Sequence, residues 1–489
     1  MVVIPTMGRC QMLNLCCFFF HEEEESQQRK ILGILAFNAA KTMSRLLSLY
    51  HSLTDDEIHQ LRRGIIKSKG VAYLNSKEEY FLLNLACAER LDDLNLAAVA
   101  VSHLGKNCSD MRLSRFDTVF AGLKNGLVDL HKLEFDTRKI ENVIEKMEKL
   151  VSSTRSLHTA MESLVEMEAL EKKMQRWGTM RANHGTKVKV ECFNDKITFY
   201  RKKVQYYKQI SLWNQTYDKV VGLMARIICI VYARIYSVFG TLITGNKSNN
   251  NVKGFLRPKL KNGSCLLQHG ELYKANITLF DQNYEPMKKN QMLKSTKTGV
   301  IRFHNHNPSL PHVADNCGRS RDDVAKKNRV LNLAPLSTVG GAGLSMRYAN
   351  VILYIDRCMH ATAAIGDDAR ACLYEMLPGR LKVKVRRKLR GQWLEWEGNS
   401  MGGGEGRSAM AKEWLNTVEE VMEWLLPMAH DTVRWQVERN VEKQKFETKL
   451  TVLLLQTLHY SDLEKVEEVI VEVLVGLSFL CWCQKPQQW

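Results

Sequence analysis

The chain has 489 residues, of which 45% are apolar and 25% charged; this is a globular composition, and the length is enough for two or three domains. The formal net charge of +17 favours anionic partners, such as acidic proteins, nucleic acid or anionic lipid, without distinguishing among them. The thirteen cysteines include no CxxC pair, which excludes a regular disulfide framework and favours a reducing compartment over secretion.

The chain starts with a segment that contains one short apolar run. The run MLNLCCFFF (12–20) is followed at once by HEEEES, and no small-residue cleavage site follows it, so it does not have the pattern of a signal peptide. We therefore predict a disordered tail over residues 1–29 of a protein that is not secreted. Acylation of Cys10, Cys16 or Cys17 is the alternative, and it would attach the chain peripherally to the plasma membrane.

Helical patterns fill residues 30–245 and predict an N-terminal helical domain. Thr54 and Glu57 form a capping box that marks a helix start. A long helical arm is predicted over 138–177, because apolar residues there alternate in steps of three and four, as in coiled coils. The seam offers a surface for a partner helix, and its predicted residues are Ile140, Val143, Met147, Leu150, Leu157, Met161 and Leu164.

A second helical stretch contains the longest apolar run of the chain, Val220–Ile243. Its length would suffice for a membrane span, but Arg226 and Arg234 lie inside it. Each central arginine costs roughly 2.5–3.5 kcal/mol on insertion into a membrane. We therefore predict a middle helix over 196–240 within the N-terminal domain and no transmembrane span.

The character of the chain changes after residue 245. Residues 246–330 hold sixteen Lys and Arg against six Asp and Glu and show little periodicity, which predicts a basic, disordered linker. Helical patterns resume over 331–485 and predict a C-terminal helical domain, in which Ser461 and Glu464 cap the last helix. The predicted fold class is all-α: two helical domains with a long coiled-coil-like arm, joined by the basic linker.

Three glycines open the segment STVGGAGLSMRYANVILYID (337–356), as a phosphate-binding loop would. A dinucleotide fingerprint would need a third glycine where Met346 stands, and no Lys followed by Ser or Thr is near. We interpret the segment as a helix start in which small residues let neighbouring backbones approach closely. The sequence predicts no catalytic residue, no cofactor site and no metal site, and we expect that the protein is not an enzyme.

The strongest electrostatic motif is KVKVRRKLR (382–390), with six basic residues in nine. Such a cluster can serve nuclear import or anion binding. Leu381, Val385 and Leu389 recur every four residues, so an amphipathic helix with a solvated basic face explains it equally well. The candidate patch consists of Lys382, Lys384, Arg386, Arg387, Lys388 and Arg390.

Several longer blocks resemble, in order, the plant phytosulfokine-simulator family. LSTVGGAGLSMRYANVILYIDR, IGDDARACLYEMLPGRLKVKVRRKLR and EWLLPMAHDTVRWQVERN are similar to its C-terminal uncharacterised domain, and ILGILAFNAAKTMSRLLSLYHSLTDDEIHQLR is similar to its N-terminal one. The resemblance implies a largely helical, non-enzymatic plant protein that promotes growth in peptide-hormone signalling, with nuclear placement. It transfers no catalytic residue.

Three functional hypotheses follow. The first is an adaptor that binds protein partners through helix faces in the nucleus and/or cytoplasm. The second is a basic tether to anionic membrane or nucleic acid, whose binding would weaken steeply with salt. The third, an enzyme with a site assembled from distant residues, has no support in any motif.

Overall fold

The computed structural model describes residues 30–125, 137–178, 185–244, 329–360, 367–400, 404–439 and 451–484. Within these ranges the regular secondary structure is helical, and the β-pairing consists of two isolated bridges, Ile31 with Thr216 and Thr338 with Asp462. The all-α prediction is confirmed for this part of the chain. The predicted tail over 1–29 and residues 246–328 of the predicted linker lie outside the described residues.

The N-terminal part is built around two long helices that pack along each other, α3 and α8. Helix α1 contacts α3, α6 and α8, while α6 and α7 form a helical hairpin beside them. The described α-helices of this part are α1 (Ala36–His51), α2 (Asp55–Gln60), α3 (Glu79–Gly105), α4 (Met111–Ser114), α5 (Phe116–Lys124), α6 (Thr137–Gly178), α7 (Gly185–Ile210) and α8 (Tyr217–Thr244).

The C-terminal part packs around helix α12, which contacts α9, α11 and α13. The buried residues Tyr348, Ile352, Leu425, Ile470 and Phe479 bring these helices together in one apolar core. The described α-helices here are α9 (Ser345–Met359), α10 (Asp367–Met376), α11 (Gly379–Ser400), α12 (Gly404–Arg439) and α13 (Leu463–Gln484).

The structure corrects the single middle helix predicted over 196–240, because α7 and α8 occupy that range with a break between them. At the break, the Leu212 amide donates to the buried Thr154 hydroxyl of α6 (3.1 Å), and the Trp213 amide donates to Ser211 Oγ (3.3 Å). Side chains thus satisfy backbone groups that a continuous helix would pair internally. The break lets the chain turn from the arm back onto α3.

The two parts of the chain are joined by direct hydrogen bonds as well as by sequence. The Asp462 amide donates to Leu74 O (2.8 Å), and the Asn75 side chain donates to Leu455 O (2.5 Å). Ser461 Oγ donates to Asn75 Oδ1 (2.6 Å). Leu74 and Asn75, shortly before α3, are therefore hydrogen-bonded to the segment that leads into α13. The two helical parts share a packed interface.

Candidate functional site

The basic patch lies on α11, and its inner face is paired with carboxylates of α13. Lys384 Nζ lies 2.5 Å from Glu464 Oε2 and 2.7 Å from Glu467 Oε2, while Lys388 forms an ion pair with Glu472. Partial burial lowers the pKa of Lys384, but hydrogen bonds to both glutamates outweigh it and raise the pKa above its ordinary value. These lysines hold two helices together and do not present free charge.

The outer face of α11 is different in character. Its arginine side chains are exposed, and one of them, Arg386, lies over the Tyr374 ring with 5.4 Å between Cζ and the ring centroid. Lys382 lies over the same ring (4.7 Å) and 3.5 Å from Glu375. The exposed cationic surface is therefore carried by three of the six predicted residues, Arg386, Arg387 and Arg390.

Glu467 lies at the centre of this region, and its side chain is fully buried. Tyr348 of α9 donates a hydrogen bond to Glu467 Oε1 (2.8 Å), and Arg380 Nε lies 3.2 Å from Glu467 Oε2. Burial, and then the hydrogen bond to Glu467, raise the pKa of Tyr348 above its ordinary value. One carboxylate thus connects α9, α11 and α13. These contacts fix the position of the helix α11 that carries the exposed arginines.

The predicted partner-helix seam lies on α6, which covers the range predicted for the arm (138–177). The seam faces α1 and α7 of the same chain. Its centre is buried there: Val143, Met147, Leu150 and Leu157 are at most 9% exposed. The outer members Ile140, Met161 and Leu164 are half-buried. A partner helix could therefore use the central seam only by displacing α1 or α7.

A buried ionic cluster joins the two parts of the chain, and the sequence analysis missed it. Arg439 Nη2 lies 2.6 Å from Glu89 Oε1 and 3.3 Å from Asp93 Oδ2. Arg45 Nη2 lies 3.5 Å from Asp93 Oδ1, and Trp435 Nε1 donates to Glu89 Oε1 (2.6 Å). The signal was present in the sequence, since Glu89 and Asp93 fall one turn apart on α3 among apolar residues.

Backbone groups complete the cluster. The Leu454 amide donates to Glu89 Oε2 (2.7 Å), and Arg439 Nη1 donates to Val452 O (3.1 Å). Burial raises the pKa of Glu89, and the charge of Arg439 only partly opposes this rise. Burial lowers the pKa of Arg439, but the charges of Glu89 and Asp93 outweigh burial and raise the pKa above its ordinary value. Each of these charges is costly to bury alone. The C-terminal part therefore packs favourably on the N-terminal part only when Arg439 neutralises Glu89 and Asp93.

The glycine segment serves packing, as the sequence analysis predicts. A Cβ atom on Gly341 would lie 1.9 Å from Pro335 O, and one on Gly340 would lie 2.3 Å from His459 Nδ1. Helix α9 begins at Ser345, two residues after the last glycine. Contacts this close account for glycine at these two positions, and the positive φ of Gly343 (71°) favours glycine at the third.

Of the described helices, one is long and apolar enough to cross a membrane, namely the part of α8 over Tyr217–Gly240. About two thirds of its most apolar window (67%) is buried inside the chain. Arg234 Nε donates to Leu53 O (2.7 Å), so one of its two arginines anchors the helix to the loop after α1. This helix is thus weak evidence for a membrane span.

Two family models match the chain, both for domains without an assigned function. Residues 34–90 match the domain of unknown function DUF3475, and residues 338–434 match the protein family of unknown function DUF668. The first match covers α1, α2 and the start of α3 up to Arg90. The second covers the glycine segment, the basic helix and most of α12. The chain is thus similar to two domain families of unknown function, which follow each other in this order along the sequence.

Three curated proteins of Arabidopsis thaliana are similar to the chain over most of its length. PSK SIMULATOR 1 and PSK SIMULATOR 2 are each 21% identical, over 92% and 93% of the chain, and PSK SIMULATOR 3 is 21% identical over 92%. The chain spans 56–60% of the length of these relatives. No solved structure matches the chain. The resemblance to the plant phytosulfokine-simulator family is therefore confirmed.

Proposed function

We propose that this protein is a non-enzymatic adaptor that promotes plant growth in phytosulfokine-related signalling. The observation that carries the proposal is the similarity to three PSK SIMULATOR proteins along about nine tenths of the chain (92–93%). The order of the two matched domains, 34–90 followed by 338–434, supports it. The growth-promoting role and the adaptor mechanism are our inference from the similarity.

The exposed arginine face of α11 is the surface that we assign to a protein partner. Arginine suits this role because its planar guanidinium binds carboxylates through two parallel hydrogen bonds. The inner lysines on the same helix are held by α13, so Arg386, Arg387 and Arg390 project from a fixed backbone. A rigid presentation lowers the entropic cost of binding. An acidic protein surface is the complementary partner.

The experiment compares two triple variants expressed in plants that lack the native protein. In one, Arg386, Arg387 and Arg390 are changed to Ala; in the matched control, the exposed Lys67, Lys202 and Lys412 are changed to Ala, with the same loss of charge. We expect the first variant to lose captured partners and the growth response to phytosulfokine, and the control to keep both. A full growth response in the arginine variant would contradict the assigned surface.

The electrostatic tether is the second candidate, because the same exposed arginines would serve it. A tether that binds through phosphates loses affinity by orders of magnitude between about 50 and 200 mM salt, since binding releases counterions. Binding to a folded protein surface declines less over this range. Placement in the nucleus and/or cytoplasm, with or without peripheral membrane association, is part of the proposal and is checked by imaging both triple variants.

A further inference from the structure

An open apolar groove lies between the arm helix α6 and the first turn of the described chain. The groove has a volume of about 520 Å³. It is lined by one stripe of α6, by Ile34 just before α1 and by Phe37 in α1. Two of the lining side chains are largely exposed, Ile34 at 64% and Val165 at 65%. Large apolar side chains that line a common groove in this way indicate a surface that another segment covers.

The dimensions of the groove define what could fill it. The lining stripe of α6 extends from His158 to Ala169, which corresponds to about 16 Å at a rise of about 1.5 Å per residue. The apolar run over residues 12–20 would measure about 13 Å as a helix and about 30 Å as an extended strand. As a helix, the run therefore matches the length of the groove.

The connection to that run is short and begins at the groove. The Tyr217 amide donates to Lys30 O (3.1 Å) and the Leu32 amide donates to Gln215 O (3.0 Å), which fixes the chain four residues before Ile34. Residues 21–29 then bridge at most about 30 Å to the apolar run. A segment tethered at this distance has a high effective concentration at the groove, on the order of millimolar.

We propose that residues 12–20 of this chain bind in the groove lined by Ile34, Met161 and Val165. The occupant is apolar like its site. The four glutamates that follow, 22–25, carry the same charge as Glu162 and Glu166 at the groove, so they stay outside it. This arrangement brings the part of the chain that carries Cys16 and Cys17 beside α6, within reach of a thiol introduced in the groove.

The test uses the two native cysteines of the run. In the full chain, Val165→Cys places a thiol in the groove, and Leu170→Cys places one on the same helix, about 140° around its axis from Val165. Leu170 is exposed at 38% and does not line the groove. Each variant is treated briefly with a short bismaleimide and digested, and the cross-linked peptides are quantified by mass spectrometry.

We expect Val165→Cys to cross-link with Cys16 or Cys17 within one chain at least tenfold more than Leu170→Cys. Changing Phe18, Phe19 and Phe20 to Asp in the Val165→Cys chain should reduce the cross-link to the control level. Equal cross-linking of the two variants would mean random encounters of a tethered segment, and would overturn the proposal. Cross-links between chains would assign the groove to a second copy. A freely reactive thiol in the Val165→Cys chain without cross-links would leave the groove to an external partner; both of these results refute the proposal.

Discussion

Two groups of charged residues join helices in this protein, and they differ mainly in their access to water. The first group, Glu89, Asp93 and Arg439, lies between the two parts of the chain with side chains at most 7% exposed. The second group is the single pair Lys388 and Glu472 between α11 and α13, whose side chains are 37% and 36% exposed. Ion pairs thus have different energetic roles in the two groups. In the buried group, removal of one partner leaves a charge that water cannot reach, whereas in the exposed group water solvates the remaining charge.

The largest effect is expected from Arg439→Met, which leaves Glu89 and Asp93 buried without their main cation. We expect a loss of about 3–5 kcal/mol in the free energy of unfolding, measured by urea denaturation. The matched control is Lys69→Met, since Lys69 also pairs across the two parts, 2.6 Å from Glu420, but both side chains are exposed. The control should lose much less, because water solvates both side chains whether or not they are paired. Equal losses would remove the distinction between the two groups.

A pH effect is expected from Asp92, next to the buried cluster. Burial raises the pKa of this carboxyl from 3.8 to about 7, although the Val330 amide donates to it (2.6 Å). Between about pH 4 and pH 7 the folded chain therefore keeps a proton that the unfolded chain has released. The contribution of Asp92 to the free energy of unfolding is fully present near pH 4. It declines as pH rises towards 7, by up to about 1.4 kcal/mol per pH unit.

The measurement compares the wild-type chain with Asp92→Asn in urea at pH 5, 6 and 7. The amide stays neutral and keeps an oxygen that accepts from Val330, so the variant should gain stability relative to wild type with each step in pH. Asp55→Asn, at a side chain that is 98% exposed, is the control for the change from a carboxylate to an amide outside the buried cluster. Parallel curves for wild type and Asp92→Asn would show that Asp92 ionises normally.

A neutral polar group extends the comparison to uncharged side chains. Thr154→Val keeps the shape of a buried side chain but removes the acceptor of the Leu212 amide. We expect a loss of about 1–3 kcal/mol in the free energy of unfolding, because that amide stays buried without a partner. Thr417→Val is the control, since the Thr417 hydroxyl is exposed and donates within its own helix. It should change stability by less than about 0.5 kcal/mol. Similar losses at both positions would contradict this reasoning.

The smallest effect is expected at the pair Lys388 and Glu472. A double-mutant cycle with Lys388→Ala and Glu472→Ala should give a coupling of about 0.2–1 kcal/mol, which decreases as salt rises. Thermal or urea unfolding at low and high salt provides the measurement. A coupling above about 2 kcal/mol that is insensitive to salt would place this pair with the buried cluster.

Periodicity was sufficient to predict the all-helical fold, because the apolar spacing of a helix is a local property. It also located the range of the long arm. It could not predict the break at Ser211, since the acceptor for the Leu212 amide comes from Thr154, 58 residues away. Likewise, KVKVRRKLR is one continuous basic motif in the sequence, but Glu464 and Glu472 of a later helix pair with two of its three lysines, while its arginines stay exposed. Partners distant in sequence decided what local patterns could not.

The buried cluster has a consequence for how the chain is made. Glu89 and Arg439 are 350 positions apart (439 minus 89). A ribosome that adds about 5–20 residues per second needs roughly 20–70 s to cover this distance. During that interval the nascent N-terminal helices carry an acidic, partly apolar face whose cover has not been synthesised. Chaperones that recognise such faces, or a slow translation stretch before Arg439, would therefore influence the yield of folded protein more than the stability of the finished molecule suggests.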